Sequence, residues 1–239
     1  EMWNKRSAHA EALFQAGSLD EAHARFTKAE ALQKEASQYP LLYSLSGFRF
    51  CDFLLSEVEC AAWRATLGVD EIPIAPTTLD AVEDRASQTL QWFKTQNYSL
   101  LLSIALDNLT LGRVSLYRDI LERAAVDDQN SYVEAAVIGI RQAGKTDYLP
   151  RALLARAWVC AVHGRAAAAN ADLDEAQQIA ERGPMRLHLA DVHLYRARLF
   201  FREDREEARG ELKKARVLIE QCGYHRRDEE LRDAEKVIL

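Results

Sequence analysis

Backbone punctuation is scarce in this chain. Only ten glycines and five prolines interrupt 239 residues. An all-β domain, with a turn every 8–12 residues or so, would ask for more, and runs of Val, Ile and Thr that would mark strands are few. Cysteine is equally thin. Cys51, Cys60, Cys160 and Cys222 show no C-x-x-C spacing, which argues against a disulfide framework or a cysteine zinc site and predicts reduced, buried thiols in a cytoplasmic protein. The longest apolar stretches, such as "SLLLSIAL", fall far short of the roughly 20 residues a membrane-spanning helix needs, and no signal peptide is recognisable. A basic excess is missing as well. The net charge of -6 argues against nucleic acid, whose polyanionic backbone rewards basic surfaces. Because Glu1 precedes Met2, the chain is expected to be a fragment of something longer.

What remains is rich in Ala, Leu, Glu, Arg and Gln, all good helix formers. In "QAGSLDEAHARFTKAEAL", Gly17 is followed by Ala22, Phe26 and Ala29. This small–large–small triplet shares one helix face, where small residues admit a neighbouring helix and the large one fills the groove. Ser18-x-x-Glu21 reads as a capping box. The triplet recurs at Ala86/Leu90/Phe93, Ala136/Ile140/Ala143, Ala169/Leu173/Ala176 and Ala208/Leu212/Ala215. Each is preceded by another helical stretch, so the unit is an antiparallel helix pair. The pattern predicts an all-α chain in a single domain, with units near 4–37, 41–96, 99–143, 150–182 and 185–221 and a cap at 225–237. Unit two pairs helices 41–66 and 79–96 around an irregular insertion at 67–78 carrying Pro73 and Pro76, and unit three pairs 99–124 with 129–143. Pro40, Gly144, Gly164, Gly183-Pro184 and Gly223 mark helix stops.

Ala136 and Ala169 stand 33 residues apart, close to the ~34-residue period of tetratricopeptide repeats. With the Gly-Ala-Phe-Ala register of unit one, the chain resembles a tetratricopeptide repeat (TPR) protein over nearly its whole length, departing from it at Glu203, where unit five lacks its turn glycine. The segments "YPLLYSLSGFRFCDFLL", "DYLPRALLARAWV", "RGPMRLHLADVHLYRARLF" and "IEQCGYHRRDEELRDAE" are similar to the degenerate repeats C-terminal to bacterial STAND-type signalling NTPases. The resemblance implies a right-handed α-α superhelix of about five helix pairs whose first helices line a concave groove.

"GIRQAGKT" at 139–146 fits the phosphate-loop pattern Gly-x-x-x-x-Gly-Lys-Ser/Thr. A working loop needs a strand before it and a helix starting at the Gly-Lys. Here Val133, Ala136, Val137, Ile140 and Ala143 have helical spacing, Gly144 stands where a helix stops, and Pro150 disfavours a helix running on from Lys145. A nucleotide-dependent enzyme is therefore the minor alternative. In "HLADVHLYR", His188 and Asp191 share a helix face, while His193 lies five residues from His188 and points elsewhere, which is not zinc-pair spacing. No metal, cofactor or catalytic site is expected.

Aromatics with arginine are more suggestive. Leu42, Ser46, Arg49 and Phe53 form one stripe at helical spacing. The repeat register adds Arg151, Leu154 and Trp158 in unit four and Asn108 and Arg113 in unit three as groove-facing positions, and His193 belongs to a polar patch that reads either as partner-binding or as inter-repeat hydrogen bonding. Ser46, Arg49, Phe53, Asn108, Arg113, Arg151, Trp158 and His193 are thus the partner-binding candidates. The expected function is a non-catalytic interaction or sensor module of a larger signalling protein, taking a protein or peptide segment, or a small effector as in a small-molecule-binding regulatory domain, without nucleic acid or membrane.

Overall fold

The structure, a computed structural model, describes residues 2–69, 77–95, 100–124 and 131–239. Among these the chain is all-α and helical-repeat-like: twelve α-helices, two short 3-10 turns and no strand. They are α1 (Met2–Gln15), α2 (Leu19–Ala36), α3 (Ser44–Leu54), α4 (Ser56–Leu67), α5 (Thr77–Thr95), α6 (Leu101–Leu121), α7 (Ser131–Gln142), α8 (Leu149–Val162), α9 (Ala166–Arg182), α10 (Arg186–Phe200), α11 (Arg205–Cys222) and α12 (Asp228–Ile238). The 3-10 turns, Thr146–Tyr148 and His225–Arg227, lead into α8 and α12. None of the described helices is long and apolar enough to cross a membrane.

Antiparallel pairing follows the triplets. α1 packs on α2, α8 on α9 and α10 on α11. Ala22, Phe26 and Ala29 are sealed, as are Ala169, Leu173 and Ala176, so the alanines do bring the helices close. Gly17, Gly68, Gly144, Gly164 and Gly223 all hold positive φ and end a helix in the same way. At Gly144 the amide returns to the Arg141 carbonyl at 3.0 Å and the Lys145 amide to that of Ile140. This is the double bond of a left-handed C-terminal cap, a conformation glycine adopts without steric cost.

Several sequence expectations are corrected. The helix expected over 41–66 is two, α3 and α4, broken at Leu55. The Ser56 hydroxyl donates to the Phe53 carbonyl at 2.7 Å, so a side chain takes a backbone acceptor at the break. α5 lies chiefly on α6 rather than on α3 and α4; Ala86 and Leu90 cluster with Leu111, and Arg118 pairs with Asp80 and Glu83. Ser18 makes no side-chain cap, whereas Asp204 caps α11 by accepting from the Glu207 amide at 2.9 Å. Gly183 stops α9 without the left-handed conformation. The insertion, including Pro73 and Pro76, lies mostly outside the described residues; its described start is the Gly68 stop of α4.

The first helices pack in sequence, α1 on α3, α3 on α6, α6 on α8, α8 on α10 and α10 on α12, and α12 then returns to α4. Arg64 of α4 pairs with Glu229 and Asp233 of α12. The turn before α12 reaches the first helix pair: a Cβ placed on Gly17 would stand 2.9 Å from His225 Cβ. The interior enclosed by this layer is filled. Trp63 of α4 stacks on Trp158 of α8 with centroids 3.5 Å apart, Tyr195 of α10 meets both rings, and Tyr117 of α6 meets Trp158. Arg198 lies 3.7 Å over the Trp63 ring, a desolvated cation–π contact.

Candidate binding site

Beside that aromatic core lies a buried ion network built from six helices and the 3-10 turn before α12. Asp52 of α3 accepts from Arg113 of α6 at 2.8 Å, Arg226 before α12 at 2.6 Å and Arg151 of α8 at 3.2 Å. Glu59 of α4 accepts from Arg113 and Arg226, each at 3.2 Å, and lies 3.3 Å from Arg227. Asp191 of α10 accepts from Arg227 at 2.8 Å and from the Tyr224 hydroxyl at 3.1 Å. Glu230 holds Arg227 and Arg198. Burial alone would raise the Asp52 pKa, but Arg226, Arg113 and Arg151 overcome it and hold the carboxyl well below its ordinary value. Burial works the same way on Glu59, and Arg227, Arg113 and Arg226 bring it down to about 2. These carboxylates are charged, and each is satisfied by several donors, the condition under which buried ions persist.

The network opens outward at Arg151. There Glu11 of α1 lies 3.3 Å from Arg151 and also pairs with Arg49 of α3. These three side chains stand in a cleft of about 560 Å³ between α1, α3, the start of α8 and the start of α10. Leu45, Phe48, Tyr148, Met185 and Leu187 give it an apolar wall, and Arg186 and Asp147 stand at its edge. Arg49, Arg151 and Glu11 each keep roughly a fifth of their side chain exposed (19%, 22% and 23%), so they are reachable from solvent while packed. His188 completes the wall. Burial, followed by the charge of Arg151, pushes its pKa down to about 4, so the imidazole is neutral at pH 7. Its Nδ1 is buried without a hydrogen-bond partner and 4.0 Å from Asp191.

Two other concavities are less suited to a ligand. A groove of about 700 Å³ between α7, α8 and α9 is larger; of its two arginines, Arg156 and Arg165, the first is held twice by Asp172 (2.9 and 2.7 Å) and once by Glu134. A cleft of about 500 Å³ is lined by the last residues of α4, α6, α8 and α10, where Arg198 and Arg202 stand beside the negative ends of helix dipoles.

Of the eight sequence candidates, the structure brings Arg49 and Arg151 together in one cleft, with Arg113 behind them. Arg113 is buried, so it supports the cleft rather than lining it. The other five lie outside this cleft, Trp158 and Ser46 because they are buried. Trp158 is fully buried in the aromatic stack, because the interior is filled instead of open. Ser46 is buried and donates to Asn4 at 2.9 Å. Phe53 packs against Phe14, Phe26, Phe50 and His23 within the first helix pairs. His193 pairs with Glu211 at 2.6 Å between α10 and α11, the inter-repeat hydrogen-bonding role. Asn108 sits half-buried on α6, outside the cleft. Glu11, Glu59, Arg226 and Arg227 are not marked by any pattern in the sequence reading above. The signal available was "YHRRDEE", two adjacent arginines in a segment whose tyrosine is apolar enough to bury.

The octapeptide at 139–146 is the end of a helix and its exit turn. Gly139 to Gln142 are helical, Gly144 caps, and Thr146 opens the 3-10 turn. Gly139 has a packing role, since a Cβ there would meet Ala105 Cβ at 2.8 Å. Among the described residues no group of three or more His, Cys, Asp or Glu side chains is arranged to hold a metal ion. No protein-family model, curated protein or solved structure matches this chain.

Proposed function

We propose that this chain is a TPR-like superhelical binding module without chemistry of its own, and that its ligand seats in the cleft between α1, α3, α8 and α10. The observation carrying this reading is the cleft itself. It is concave, apolar on one wall, and has convergent charged groups, Arg49 and Arg151, the second preset by buried Asp52; this is the usual make-up of a ligand site. Because the aromatic stack and the turn before α12 fill the interior, the cleft has a floor and suits a compact effector or a short chain segment better than a long extended peptide. In a larger signalling protein such a module would act as a sensor, its ligand favouring one arrangement of the chain. The test is selection of binders from a random peptide display library and a small-molecule fragment library, scored on the wild-type chain and on Leu45→Asp and Leu187→Asp variants. Binders lost in both folded variants support the cleft. Binders that ignore both substitutions overturn it.

A further inference from the structure

Resting on that reading, we propose that the cleft takes a small organic anion, a carboxylate or phosphate monoester with an apolar body, and that Glu11 holds its seat from within the chain. The charge balance points this way. Arg49, Arg113, Arg151, Arg198, Arg226 and Arg227 face the five carboxylates of Glu11, Asp52, Glu59, Asp191 and Glu230 in one connected network. An acidic chain of net charge -6 has thus built a local cationic excess, and the place where it meets solvent is Arg49 and Arg151. Asp52, Glu59, Asp191 and Glu230 are locked by buried donors. Glu11 alone among the five is not buried, and its two partners come from different helices, α3 and α8. A carboxylate bridging two arginines is the contact an incoming anion would make, since guanidinium pairs with carboxylate and phosphate oxygens in the same forked geometry. The ligand's body would lie on Leu45, Tyr148 and Leu187, and neutral His188 adds no counter-charge there.

Displacement gives a sign that a structural role for Glu11 does not. If Glu11 occupies the seat, the apparent affinity for an outside anion is reduced by that occupancy, and removing the internal carboxylate raises it. The probes are a panel of fragment carboxylic acids and phosphate monoesters, each paired with its neutral amide or alcohol, and binding is read by ligand-observed NMR and melting shift at low salt. Anionic members are expected to bind and their neutral counterparts to bind about tenfold more weakly or not at all, as loss of a charge-assisted contact implies. Glu11→Gln is expected to tighten binding about three- to tenfold. Arg49→Gln, chosen because Arg151 also supports buried Asp52, is expected to abolish it, and Arg49→Lys to retain part; far-ultraviolet circular dichroism confirms that each variant folds. Which acid class gives hits separates carboxylate from phosphate. Neutral fragments binding as well as anions, in a manner lost in Leu187→Asp, would overturn the anion while leaving the cleft as a site. Unchanged or weaker binding in folded Glu11→Gln would overturn the internal seat. No cleft-dependent binder in either library would overturn both this inference and the functional reading it rests on.

Discussion

Asp52 is a single buried carboxylate that faces three arginines from three elements, Arg113, Arg151 and Arg226. Asp52→Asn keeps the shape and leaves three guanidinium groups short of a counter-ion, so a loss of about 3–5 kcal/mol is expected in urea unfolding. The same network sets the acid limb of stability. Glu59 titrates at about 2 in the fold against an ordinary value of 4.5, so the unfolded chain binds more protons between those values. The contribution of Glu59 to stability is then complete above about pH 4.5 and is lost as pH drops towards 2, with Asp52 adding to the loss in the same direction. Asp107 works oppositely. Burial, only partly offset by Thr89, raises its pKa to about 7, so the native state holds an extra proton from about pH 4 upward and stability declines as pH rises through that window. Asp107→Asn removes this term, and its urea midpoint relative to wild type should rise from pH 5 to pH 8. At this scale the sequence showed Arg49 and Arg151 through aromatic company and repeat register. It hid their partners, because Arg226 meets Asp52 across 174 positions and Arg151 meets Glu11 across 140. No local spacing rule reaches that far.

Helices and their stops were the most legible layer. Small–large–small triplets and glycine stops located the elements because both act within one or two turns of chain. The break at Leu55 was hidden, since neither proline nor glycine marks it and a serine hydroxyl stands in their place. The two glycines of "GIRQAGKT" separate two physical causes and can be tested against each other. Gly144 has open space around its Cβ position and φ +64, so Gly144→Ala costs only backbone strain, about 1 kcal/mol. Gly139 is ordinary helix pressed on Ala105. Alanine there gains about 1 kcal/mol of helix propensity and loses about 1–3 kcal/mol to overpacking. A net loss is expected for Gly139→Ala, and Ala105→Gly should rescue it in a double-mutant cycle while leaving Gly144→Ala uncorrected. Trp63, Tyr117, Trp158 and Tyr195 belong to four different helices yet meet in one stack. Trp63→Ala should cost about 3–5 kcal/mol, and Trp158→Phe should remove the near-ultraviolet circular dichroism of the stacked indoles.

On the scale of the molecule, the all-α class followed from composition and periodicity, while the filled interior did not. A repeat register assigns faces to helices; it does not say whether the last helix comes back to the first. Here α12 comes back to α4 through Arg64 to Glu229 and Asp233, the turn before it meets Gly17 of the first pair through His225, and Arg226 and Arg227 reach Asp52 and Glu59. Removing Tyr224–Leu239 would strip two arginines from the buried carboxylates at once. Open helical repeats lose a terminal unit with a modest, additive effect. This chain is expected instead to lose its cooperative unfolding transition and expose its indoles, which a shift in tryptophan emission would report.

That return contact also limits how the sequence can change. An open array can gain or lose a helix pair in the middle and keep every neighbour it had. A row whose last member must touch its first has a fixed count, because one additional pair would carry His225 away from Gly17 and Glu229 away from Arg64. Length variation in chains of this design should therefore collect in the connections between helices, such as the proline-bearing segment between α4 and α5, and leave the number of pairs constant.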